Sequence, residues 1–74
     1  MDADTLKKLA KLLMTAKADI NRANTEANKH TGNVASHIAS NTSSAWIAVT
    51  DALHIVEKER RAQKQPTTQA PDGA

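Results

Sequence analysis

The sequence predicts an all-α fold: an antiparallel helical hairpin that dimerises into a four-helix bundle. Three observations predict it. Leu6, Leu9, Leu13, Ala16, Ile20, Ala23 and Ala27 recur at alternating three- and four-residue steps, which keeps one narrow apolar stripe on one side of a helix. Thr31-Gly32-Asn33 then interrupts the stripe with residues suited to a tight turn. Finally, a 74-residue chain without cysteine has neither the apolar inventory nor the disulfides to be secure alone, so self-association is the expected remedy.

The first helix is expected from about residue 4 to about residue 30. Asp2 and Asp4 both suit its N-cap, because a carboxylate accepts from the free amides of the first turn and complements the helix dipole. No Gly or Pro occurs from Thr5 to Lys29. The turn is expected at 31–33, with Gly32 in the left-handed position past the helix end and Asn33 capping the next helix. That second helix is expected from about 34 to 64, ending before Pro66. Its weak point is Ser40-Asn41-Thr42-Ser43-Ser44, whose side chains compete for the backbone, so the sequence allows a kink or split at 40–44. Residues 1–65 form the hairpin unit on this reading. Residues 66–74 read as a disordered tail, with no periodicity and almost no apolar content.

Residues equidistant from the turn should meet, which sets Leu9 near Val56, Leu13 near Leu53, Ala16 near Val49, Ile20 near Ala45, Ala23 near Thr42 and Ala27 near Ile38. A single continuous helix is the competing topology, since an interior glycine costs only about 1 kcal/mol. The second helix has the broader apolar arc. With Val49 at zero, Ile38, Thr42, Ala45, Trp46, Ala52, Leu53 and Val56 fall within about 60 degrees, and Ala48 and Ile55 extend the arc to about 120 degrees on one side. One partner helix cannot cover that width. The surplus calls for a second copy or a different protein.

Composition excludes more than it assigns. The net charge of +2 comes from ten basic and eight acidic residues that are interleaved, so charge alone implies no nucleic acid. The acidic start Met1-Asp2-Ala3-Asp4 does not read as a secretory signal, and Ala45-Trp46-Ile47-Ala48-Val49 is far too short an apolar run to span a bilayer. A cytoplasmic location and no membrane partner are the expectations. Lys7-Lys8-Leu9-Ala10-Lys11-Leu12-Leu13 has the composition of a cationic surface helix, but its leucines continue the packing stripe.

No constellation in the chain points to chemistry. His30 and His37 flank the turn, but a zinc site wants three or four ligands, and His54 has only Asp51 and Lys58 at helical spacing; no metal and no cofactor is expected. The carboxylates Asp19, Glu26, Asp51, Glu57 and Glu59 stand where helix charges are solvated, and there is neither a nucleophile motif nor a glycine-rich phosphate loop, so no catalytic residues are assigned and the chain reads as a non-enzyme.

Two surfaces remain. Leu12, Met14, Trp46, Ile47, Ala48 and Ile55 are the candidates for protein interaction, with Trp46 suited either to a core or to anchoring an interface. Lys7, Lys8, Lys11, Lys58, Arg60, Arg61 and Lys64 gather at the open end against Asp2, Asp4, Glu57 and Glu59, leaving an excess of three positive charges that suits phosphate or an acidic partner. The function expected is a small regulator or adaptor that binds a larger protein and modulates it, by inhibition or tethering. Small accessory proteins of phages and plasmids share such architecture, an analogy of fold alone. The alternatives are a dimeric nucleic-acid binder using the basic end and a structural coiled-coil subunit using the whole stripe.

Overall fold

The computed structural model describes residues 1–64, and in them the chain is an all-α helical hairpin of α1, Ala3–Ala27, and α2, Asn33–Lys64. The expected tail at 66–74 lies outside the described residues. Asp2 is the N-cap, its Oδ1 accepting from the Thr5 amide at 2.7 Å. The bonds from Thr5 hold the Asp2 carboxyl below its ordinary range, the side-chain bond first and the amide second.

The turn departs from expectation by three residues. α1 ends at Ala27 rather than near His30, because the Lys29 and His30 amides bond three residues back, to the carbonyls of Glu26 and Ala27 at 3.1 Å each. Gly32 takes φ +107°, a region that side chains disfavour, and its carbonyl accepts from the Ser36 amide at 3.0 Å. Gly32 thus closes the first turn of α2, the place expected for Asn33. That one backbone conformation makes the chain a hairpin instead of one long helix.

Packing is strongest at the open end. Leu6, Ala10 and Val56 are buried together, with Leu9, Leu13 and Leu53 packed against them. These residues keep the register expected from counting back from the turn. The inward line of α1 is nevertheless rotated by about 30 degrees from the expected stripe. Ala10 and Asn24 turn inward, whereas Ala23 is exposed. A methyl group at position 10 leaves room for Val56, so the helices draw together there.

Near the turn, hydrogen bonds replace leucine packing. The Asn24 amide Nδ2 donates across the pair to the Ala39 carbonyl at 2.9 Å, to Thr42 Oγ1 at 2.9 Å and to Ser43 Oγ at 3.1 Å. Asn28 Nδ2 donates to Asn24 Oδ1 at 3.0 Å and holds that amide in orientation. Thr42 Oγ1 in turn donates to the Ile38 carbonyl at 2.8 Å. The run 40–44 is therefore no break: α2 is continuous through it, the Thr42 and Ser43 hydroxyls accepting the Asn24 donor while Thr42 bonds back to a carbonyl of its own helix.

The two ends of the contact can be tested separately at one fixed protein concentration. Leu6→Ala should cost about 2 to 5 kcal/mol as a cavity mutation. Asn24→Ala should cost about 1 to 3 kcal/mol by leaving polar groups without their partner. Melting followed by circular dichroism reads both, and an unchanged transition in either variant would remove that residue from the fold's support.

Candidate functional site

The fold leaves large apolar side chains exposed, and it divides them between two sides. On α2, with Val49 at zero degrees, the inward residues centre at about +25 degrees. Trp46 and Ile47 lie at about +60 and +160 degrees, whereas Ala48 and Ile55 lie at about −100 and −120 degrees. The six interaction candidates thus do not form one patch. Met14, Trp46 and Ile47 occupy one side of the hairpin. Leu12, Ala48 and Ile55 occupy the other.

The first side is built around the single tryptophan. Trp46 was expected on the inner arc, but it is 36% exposed. Its indole is too wide for a pair of helices spaced by Ala16, Ala39 and Ala45, so it lies along the rim. Lys17 Nζ stands 4.7 Å from the ring centroid, a cation–π contact that roofs the indole with charge while leaving an edge to solvent. Met14, Lys17, Ala18, Asn21 and Trp46 line a shallow depression, and Asn21, Asn24, Ser43, Trp46 and Ile47 line a second beside it. Ile47 is 58% exposed, as its position predicts.

Thr50, one turn beyond Trp46, adds a local imperfection that sequence reading missed. Its Oγ1 is buried and has no hydrogen-bond partner among the described residues.

The second side is aliphatic. Leu12, Val34, Ile38 and Ile55 are all exposed, with Val34 at 74% and Ile55 at 70%. Ile38, expected inward, is a further departure: it stands level with the end of α1, where the small Ala23 and Ala27 leave it 45% exposed. Ala23, Ala27, Val34, Ala35 and Ile38 line an open apolar depression there.

The basic end is real as a location but not as a face. Lys7, Arg60, Gln63 and Lys64 border one depression together with Ala3 and Asp4. Lys8, Lys11, Lys58 and Arg61 point elsewhere around the hairpin, with Lys58 and Arg60 about 160 degrees apart on α2. Arg60 is also engaged, 3.6 Å from Glu57. Gln63 Nε2 donates to the Met1 carbonyl at 2.8 Å and ties the chain's start to α2.

No family model, no curated protein and no solved structure matches the chain.

Near the turn, His30 belongs to an ordinary surface cluster. Glu26 takes Lys29 Nζ at 3.2 Å and stands 3.6 Å from His30 Nε2. Among the described residues, no three or more His, Cys, Asp or Glu side chains come together to hold a metal. No helix among them is long and apolar enough to cross a membrane.

Thr50→Val keeps the branched shape and removes the unpaired hydroxyl. Its melting temperature should equal or exceed that of the parent protein, since an unmet buried polar group costs about 1 to 3 kcal/mol; a lower one would show that the hydroxyl has a stabilising partner.

Proposed function

We propose that this protein is a non-enzymatic regulator or adaptor that binds a larger protein through the side carrying Met14, Trp46 and Ile47. The observation that supports it is the position of the one aromatic residue. A lone tryptophan in a small helical chain is worth most when it fills a core, and here it is held at the surface between two exposed aliphatic side chains. Tryptophan is prominent among the anchors of protein interfaces, and methionine adapts its shape to a partner. Lys17 keeps the ring solvated and correctly placed in the free state.

On this reading the partner presents an apolar pocket for the indole and an acidic group for Lys17. Binding blocks the partner's working surface or tethers it, with the hairpin acting as a rigid strut. The expected cytoplasmic location belongs to the same proposal.

A photoreactive benzoylphenylalanine in place of Ile47, and separately in place of Thr15 on the outer face of α1, tests this in cells of the native host. A discrete adduct is expected from position 47 alone, lost on adding Trp46→Ala while the helical spectrum is unchanged. Equal adducts from both positions, or none from position 47, would overturn the reading.

A further inference from the structure

We propose that the other side of the hairpin docks a second copy of the same chain, α2 against α2 in antiparallel order. This rests on different residues from the partner reading and stands or falls separately. From Val34 to Glu59, the outer edge of α2 carries a line of residues at alternating four- and three-residue steps, the spacing of a helix–helix seam. Its ends are large and its middle is small. Val34, Ile38 and Ile55 are exposed there, whereas Ala48, exposed, and Ala45 and Ala52, half-buried at the flank beside α1, occupy the centre.

The line is complementary to its own reverse. About a two-fold axis midway between positions 46 and 47, Ala45 of one copy meets Ala48 of the other, and Asn41 meets Ala52. Ile38 meets Ile55, and Val34 meets Glu59. Every pair is equidistant from the axis, as a two-fold contact demands. The alanines let the backbones approach closely at the crossing, and the isoleucines seal it on both sides.

Charge selects the antiparallel order. In the parallel alternative, with both turns at one end, α2 would face the partner's α1, which presents Asp19 and Glu26 to a line of alanines. It would also bring both basic ends together, each with its excess of three positive charges. The antiparallel order keeps those ends apart and sets Glu59 near the turn of the other copy, where Lys29, His30 and His37 stand around the one carboxylate of Glu26.

The available surface is sufficient. α2 with the flank of α1 that carries Leu12 offers a face about 40 Å long and about 20 Å wide, close to the roughly 800 Å² per partner of a standard interface.

The test uses the full chain, which contains no cysteine and so accepts a single spin label at Thr31→Cys. Sedimentation at micromolar concentration should give a dimer, and pulsed electron resonance a distance of about 40 Å between turns, which is twice the run from the axis to the turn. Ile55→Glu should weaken the dimer by about 100-fold, and Ile47→Glu should leave it intact. A monomer, a turn-to-turn distance under about 20 Å, or a dimer indifferent to Ile55→Glu would each overturn the proposal. None of those results bears on crosslinking at position 47.

Discussion

Two helices share only one line of contact, and that constraint shapes everything else in this molecule. Each helix can hide about a third of its circumference against the other, so the remaining residues face solvent whatever their chemistry. Leu6, Ala10, Ala27 and Val56 are the apolar residues that become buried among the described part of the chain. A core of that size is small against the entropy of ordering some sixty residues. Apolar side chains beyond the contact line are then either neutral ornaments or surfaces awaiting a partner. Their division between two opposite sides favours the second.

The contact line is itself heterogeneous. Leucine and alanine packing holds the open end, and the Asn24 amide with its hydroxyl and carbonyl acceptors holds the turn end. Apolar packing tolerates sliding; a half-buried amide with three acceptors does not. Asn24 therefore fixes the register that the leucines merely permit.

Much of the fold was legible in the sequence, and what was missed has specific causes. The three-and-four spacing from Leu6 to Ala27 and the glycine at 32 pointed to the hairpin, because periodicity and backbone freedom are local properties. The inward turn of Asn24 was hidden, since a hydrophobic stripe weighs asparagine as surface; its companions Thr42 and Ser43, read as a weak point of α2, were the available signal. Trp46 was placed inward by angle alone, which ignores that closely spaced helices have no room for an indole. The candidate site was legible as a set of residues but not as two faces, because the sides separate only when both helix rotations are known.

The surface proposed for a second copy and the surface around Trp46 lie on different sides of the hairpin, and both proposals depend on that separation. The tryptophan is alone in the chain, so its emission reports its own surface without interference. The most direct measurement is tryptophan emission and iodide quenching across a dilution series spanning the monomer–dimer equilibrium. Separate surfaces require an unchanged emission maximum and unchanged quenching as the dimer forms. A blue shift with loss of quenching on dimerisation would contradict them.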